Sequence, residues 1–238
     1  MAEEAPRHPS IVRLKRVALA LGPLLERVVF IGGAIAPLLQ TDPPFEEARP
    51  TKDVDGMIAS TKYAEIRPLH DALRDQGFTQ LLGEIPHLHR WTSPDGDWFD
   101  LVPSGAHSGG SGQEWDRIAL ESSVAAELGD GVTVRHASGP AFLGLKWAAY
   151  LDRGIGDPFA SHDLEDILAL VASRATVVDE LTVCSGRLRE FVVARTAELL
   201  DDPRLPDLLA GHLNSAEDPA ATTRLVLRRL EAVRALAP

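Results

Sequence analysis

Apolar residues recur at Ile11, Leu14, Val17, Leu21 and Leu24-Leu25, the spacing of one helix face, and predict a helix over 11–27 interrupted by Gly22-Pro23. Val28-Val29-Phe30-Ile31 has no polar member and runs into Gly32-Gly33, which reads as a buried strand closed by a tight turn. Ala34–Leu39 predicts a short helix, and Thr41–Pro50, with three prolines, a loop. Over Asp53-Val54-Asp55-Gly56-Met57-Ile58 polar and apolar positions alternate, as on a half-buried strand. Lys62–Gln76 predicts a helix. Leu88–Trp91 and Trp98–Val102 predict two strands joined by Ser93-Pro94-Asp95-Gly96-Asp97, a strong hairpin-turn sequence. Ser104–Gly112 is a small-residue loop, and Val132–Val134 a further short strand.

Beyond Pro140 the period changes. Ala141–Arg153, Asp163–Ser173, Val177–Leu200, Leu205–Leu213 and Ala220–Leu236 all carry helical spacing. The pattern therefore predicts an α/β (α+β) half with a mixed sheet over 1–138 and an all-helical region over 139–238. No internal repeat is present.

Composition narrows the function classes. With 238 residues, 45% hydrophobic and 25% charged, the chain matches an ordinary globular protein. A single cysteine, Cys184, excludes a disulfide framework and a cysteine-rich zinc site and fits a reducing compartment. The longest apolar run, Val28–Leu39, is broken by Gly32, Gly33 and Pro37, so no membrane span is expected, and the polar MAEEAPRH start is not a secretory signal. A cytoplasmic location is expected. The net charge of −11 argues against non-specific nucleic-acid binding, though a local basic site for an RNA end stays compatible with it.

The sharpest chemical feature is Asp53-x-Asp55. Strand residues i and i+2 share a face, so two carboxylates stand one position apart and repel unless a cation lies between them. Oxygen ligands of this kind suit Mg²⁺, which keeps room for substrate phosphates. The plainer alternative is a solvated strand edge. Asp100 lies among Phe99, Leu101 and Val102, so its carboxylate is expected to be partly buried and to need a partner or a metal, or to be hydrogen-bonded structurally. Gly32-Gly33 either presents backbone N–H groups to an anion or simply makes a tight turn. Three carboxylates with a phosphate-cradling turn form a set suited to metal-assisted phosphoryl transfer.

The order Val29-Phe30-Ile31-Gly32-Gly33-Ala34, then Arg49-Pro50-Thr51-Lys52-Asp53-Val54-Asp55, then Phe99-Asp100-Leu101-Val102, resembles the DNA-polymerase-β-like nucleotidyltransferase superfamily, and within it the abortive-infection (AbiEii-type) nucleotidyltransferases. The helix segment Phe142–Arg153, with Lys146, and the segment Ser161–Ile167 are similar to that family's lysine-bearing helix and its Asp-x-x-Asp helix. The resemblance covers residues 25–175 and implies a nucleotidyltransferase fold. It implies that Asp53 and Asp55 hold Mg²⁺ and the nucleotide phosphates, and that Asp100 completes the metal site and helps deprotonate the acceptor. It places Gly32, Gly33, Thr51, Lys146 and Arg153 near the nucleotide. Asp163 and Asp166 would hold Lys146 and Arg153 in place, or form a structural ion-pair network. One departure stands out: Ala34 follows Gly33 where many relatives carry a serine or threonine.

These implications converge on an Mg²⁺-dependent enzyme that moves an NMP group from an NTP to a hydroxyl. The acceptor would be an RNA end, and the protein the toxin of a toxin–antitoxin pair with a cognate antitoxin as partner. Two alternatives stay open: an adenylyltransferase acting on a small molecule such as an antibiotic, and a non-catalytic nucleotide-binding or interaction module. The acidic charge suits the small-molecule acceptor better than RNA.

Overall fold

The computed structural model describes residues 8–42, 48–59, 63–81, 89–104, 112–214 and 216–237. The chain forms two compact units, Met1–Leu38 with Pro50–Ala137, and Leu39–Arg49 with Ser138–Pro238.

The first unit is built on a seven-stranded mixed sheet. Its elements are α1 (Pro9–Leu21), β1 (Val28–Ile31), β2 (Asp53–Ile58), α3 (Tyr63–Asp75), β3 (Thr79–Gln80), β4 (Arg90–Thr92), β5 (Trp98–Pro103), α4 (Gly112–Glu121), β6 (Val124–Glu127) and β7 (Thr133–His136). The short α2 (Ala36–Leu39) spans the join between the units. The strand order is β3-β4-β5-β2-β1-β7-β6. β2 runs antiparallel to β1 and parallel to β5, while β1 runs parallel to β7.

Alternation along β2 and β5 separates the two faces of the sheet. Val54, Ile58, Phe99 and Leu101 are buried on one, while Asp53, Asp55, Trp98 and Asp100 line the other, more open one. On the buried side Phe99 packs against Phe30 and Phe78, with ring centroids 6.5 Å and 5.8 Å away. Gly56 is needed there: a Cβ would lie 2.8 Å from both Phe99 and Val28. Leu14, Val17 and Leu21 of α1 are fully buried, and α1 packs against β2.

The hairpin between β4 and β5 is tied down at its turn. The Ser93 amide donates to the Asp97 carbonyl at 2.8 Å, and the Asp97 amide to the Ser93 hydroxyl at 3.1 Å. The buried Asp97 carboxylate takes Arg13 and Arg16 of α1, at 3.3 Å and 2.7 Å. With Gly96 in the left-handed region (φ 85°), this fixes the pairing Thr92↔Trp98, Trp91↔Phe99, Arg90↔Asp100.

Among the described residues, every element wholly within the second unit is helical: α5 (Gly139–Ala149), α6 (His162–Ser173), α7 (Val177–Val183), α8 (Gly186–Leu200), α9 (Leu205–His212) and α10 (Pro219–Arg234). Arg229 of α10 binds Asp42 at 2.9 Å, and Arg174 donates to the Leu39 carbonyl at 2.8 Å, which holds the 39–49 segment to this unit.

Several sequence expectations shift. The interruption expected at Gly22-Pro23 is where α1 ends; what shifts is the stretch after it, Gly22–Arg27, which is a 3₁₀ turn rather than α-helix. The helix expected over Val177–Leu200 is two, split at Cys184-Ser185, where both residues leave the helical region and Cys184 is extended. The helix from Ala141 ends in a π turn, Tyr150–Gly154. The sequence pattern does not predict β3, β6 or α4. β6 is a largely exposed edge strand, Val-Ala-Ala-Glu, with no apolar alternation to reveal it. Lys62, Leu88 and parts of the Thr41–Pro50 and Ser104–Gly112 loops lie outside the described residues. Among the described residues no helix is long and apolar enough to cross a membrane.

Candidate active site

The open face of β2 and β5 gathers the sequence-selected carboxylates. Asp53 and Asp55 are two residues apart on β2, and Asp100 lies directly beside Asp55 in the parallel ladder. Three carboxylates from two neighbouring strands thus share one face.

A fourth residue, not picked out from the sequence, joins them. Arg90 on β4 pairs with Asp100 across the hairpin and projects to the same face. Its Nε donates to Asp100 Oδ1 at 2.8 Å and its NH2 to Asp100 Oδ2 at 2.6 Å, a fork-to-carboxylate clasp. The same NH2 reaches Asp53 Oδ2 at 3.0 Å. The hydrogen bonds to Asp100 hold the guanidinium above the ordinary arginine pKa against its partial burial, with the charges of Asp100, Asp53 and Asp55 adding to the effect. Its planar group also lies over the Trp98 ring, 5.1 Å from the centroid. Counting outward from the Ser93–Asp97 turn places Arg90 opposite Asp100, so a register signal is present in the sequence.

Gly32 ends β1 beside Asp55. Its backbone, φ 68° and ψ −166°, lies in a region open to glycine alone, and a Cβ there would stand 2.0 Å from Asp55 Oδ2. Both the conformation and the space demand glycine. Gly32→Ala is expected to destabilise the protein by about 1–3 kcal/mol through its backbone and to push Asp55 out of position. Thermal melting beside a metal-binding or transfer assay checks this: a variant with wild-type melting and function would show that the turn tolerates a side chain.

After Gly32 the chain makes one 3₁₀ turn, Gly33–Ile35, and one helical turn, α2. These are too short to sum many peptide dipoles, so an anion here would be held by local N–H groups. Thr51 is buried, and its hydroxyl donates to the Asp53 carbonyl at 3.0 Å, while its amide donates to Ser10 Oγ at 3.1 Å. Arg13 also donates to its carbonyl. Thr51 therefore shapes the start of β2 and the position of Asp53.

The remaining sequence-selected residues lie in the helical unit. Lys146 of α5 is buried, and its Nζ lies 3.2 Å from Asp163 Oδ1 and 2.5 Å from Asp166 Oδ2, both buried on α6. Arg153, on the π turn, clasps Asp163 through Nε at 2.8 Å and NH2 at 3.0 Å. Burial works against the charges of Lys146 and Asp163. The partners prevail: Asp166 and Asp163 raise the Lys146 pKa, and Arg153 with Lys146 lowers that of Asp163. Asp163 and Asp166 thus hold Lys146, and Asp163 holds Arg153.

Among the described residues no group of three or more His, Cys, Asp or Glu side chains is placed to hold a metal ion as it stands. The donor chemistry nevertheless fits a hard divalent cation. Among the described residues its donors include the carboxylate oxygens of Asp53, Asp55 and Asp100, and the guanidinium between Asp53 and Asp100 already serves as a stand-in cation.

No family model matches the sequence, and no curated protein does. Among solved structures the chain is similar to the antibiotic-resistance factor ANT(2″)-Ia, at 16% identity over 80% of this chain and 94% of that one, TM-score 0.45. It is similar to JHP933 from Helicobacter pylori, at 14% identity over 97% and 94%, TM-score 0.46. A third, an H. pylori protein described as a nucleotidyltransferase, shows 11% identity over 97% and 96%, TM-score 0.47. Likenesses of this size carry no functional inference.

Proposed function

We propose that the protein is a metal-dependent nucleotidyltransferase whose reaction centre is the open face of β2 and β5. The observation that carries this reading is that Asp53, Asp55 and Asp100 share one face in ladder register, with one guanidinium bridging Asp53 and Asp100 and Gly32 packed against Asp55. A solvated strand edge would not require a glycine-only backbone at Gly32 or draw an arginine across two strands.

In this reading the acceptor hydroxyl oxygen attacks the α-phosphorus of an NTP, the bond to the β-phosphate oxygen breaks, and pyrophosphate leaves. Mg²⁺ held by Asp53, Asp55 and Asp100 would neutralise the charge on the phosphates. Asp53 and Asp55 would hold that ion beside the nucleotide phosphates, and Asp100, freed of Arg90, would accept the acceptor's proton. Gly32 keeps Asp55 in place, and the N–H groups of Gly32 and Gly33 are available to a phosphate oxygen. Most of the rate enhancement in such transfers comes from positioning and charge neutralisation, which this face supplies. Lys146 and Arg153 support the helical unit through their ion pairs.

The net charge of −11 favours a small cationic hydroxyl compound as acceptor; an RNA end, and with it a toxin role and an antitoxin partner, is the competing case. The test is incubation with each NTP labelled at the α-phosphate, Mg²⁺, and either small-molecule pools or total RNA. Label transferred to small molecules supports the first case and label on RNA the second. A second reading, a metal-free binding module, is favoured by the Arg90 clasp itself. Absence of any metal response would establish it in place of the enzyme.

A further inference from the structure

The acidic face is already neutralised from within. Arg90 occupies both oxygens of Asp100 and one of Asp53, at 2.8, 2.6 and 3.0 Å. A divalent ion held by Asp100 would need the oxygens that Arg90 occupies, and at Asp53 it would meet the guanidinium on Oδ2.

We propose that Arg90 is a self-locking counter-cation, which must swing away from Asp53 and Asp100 before a divalent ion can bind there. This rests on the metal-dependent reading above. Three carboxylates on one face repel, and one guanidinium offsets part of that repulsion in the metal-free protein. The ion and the guanidinium then exchange, because both are attracted by the same charges and the two cations repel each other. Arg90 is suited to leave. Its side chain is 24% exposed, so it does not lose its solvation by moving. It lies on the open face rather than in the core, and its partners Asp53 and Asp100 are themselves 34% and 19% exposed, so water can replace it there. The Trp98 indole, 41% exposed and directly beside Asp53 in the ladder, carries the guanidinium on its face in the locked position, 5.1 Å from the ring centroid, so the swing changes its surroundings. An ion pair of purely structural purpose has no need of a position that blocks the carboxylates.

The consequence is a measurable competition between arginine and metal. Arg90→Gln keeps a hydrogen-bonding amide but removes the charge. It is expected to lower the melting temperature of the metal-free protein and to bind Mn²⁺, followed by electron paramagnetic resonance, about tenfold more tightly than wild type, the size of one lost charge-assisted hydrogen bond. Arg90→Lys keeps the charge without the fork. It should fold as wild type does and bind Mn²⁺ with an affinity between the other two, which covers the case in which the glutamine variant fails to fold. Wild-type protein supplies an independent readout. Trp91, Trp115 and Trp147 are buried, so the exposed Trp98 is the tryptophan beside the moving group. Titration with Mg²⁺ should give a saturating change in tryptophan emission that is lost in both Trp98→Phe and Arg90→Gln.

Unchanged or weaker Mn²⁺ binding by both arginine variants would overturn the lock, and so would an emission change that survives Arg90→Gln. Wild-type protein that binds neither ion at millimolar concentration would overturn the metal-dependent reading, and the lock with it. Wild type that binds the ion while the arginine variants bind no better overturns the lock alone.

Discussion

Asp53→Asn is expected to reduce nucleotidyl transfer by about 10³-fold and to abolish the Mg²⁺-dependent rise in melting temperature. The substitution removes one charge from the carboxylate ligand set, and it does so on the strand that also carries Asp55. Mg²⁺ that binds the native face and not the unfolded chain stabilises the protein by mass action, so losing the site removes that stabilisation as well as the reaction. Metal-free stability should barely move. Carboxylate repulsion alone would make the asparagine variant more stable. The Arg90 clasp changes this, because the variant forfeits the charged 3.0 Å contact between Asp53 and the guanidinium. That pair is partly exposed, and its loss is worth about 0–1 kcal/mol, similar to the repulsion relieved. The measurement is a melting series with and without Mg²⁺ and NTP on both proteins, beside the labelled-NTP assay. A variant that keeps the metal response would remove Asp53 from the ligand set; wild type without one would shift the reading to a binding module.

The elements that frame this site are legible because their signals are local. Val28–Ile31 is apolar throughout, the Asp53–Ile58 stretch alternates, and Ser93–Asp97 is a turn by composition; all three are found within a residue or two of the expected bounds. The spacing of Asp163 and Asp166 puts both on one helix face, and the resemblance offers Lys146 and Arg153 as their partners; in the structure Lys146 meets both and Arg153 meets Asp163. The illegible features depend on partners distant in sequence. Arg90 looks like any strand arginine until the hairpin register sets it across from Asp100. The break at Cys184-Ser185 leaves the apolar period of the two helices nearly in phase, so periodicity joins them. Thr51 stands out for its hydroxyl, but that hydroxyl is used within the backbone turn, a use no one-dimensional pattern shows.

The largest effect on stability is expected in the helical unit. Lys146→Met removes the one ammonium that faces both Asp163 and Asp166, each less than a tenth exposed. Arg153 remains on Asp163, but Asp166 loses the lysine it is paired with inside the protein. Breaking a buried pair from one side costs about 3–5 kcal/mol, because a desolvated charge is left behind. Since native proteins are stable by only about 5–15 kcal/mol, this approaches global unfolding. Lys146→Met combined with Asp166→Leu should recover much of the loss, since an apolar pair carries no such penalty. The pH dependence separates the two ends of the network. Asp163 is held below the ordinary aspartate range: burial pushes it up, and Arg153 and Lys146 outweigh this. Its contribution is therefore complete above that ordinary range and is lost as pH falls through the lowered value. Lys146 is held above the ordinary lysine value, with burial opposing and the two aspartates prevailing, so its contribution is complete below that value and is lost as pH rises through the raised one. Wild type should thus show a broad plateau of stability between the two, and Lys146→Met should lose the alkaline limb entirely. Urea melts of both proteins across pH measure this. An alkaline limb that persists in the methionine variant would assign it to another group, and a variant as stable as wild type would show that the network contributes little to the fold.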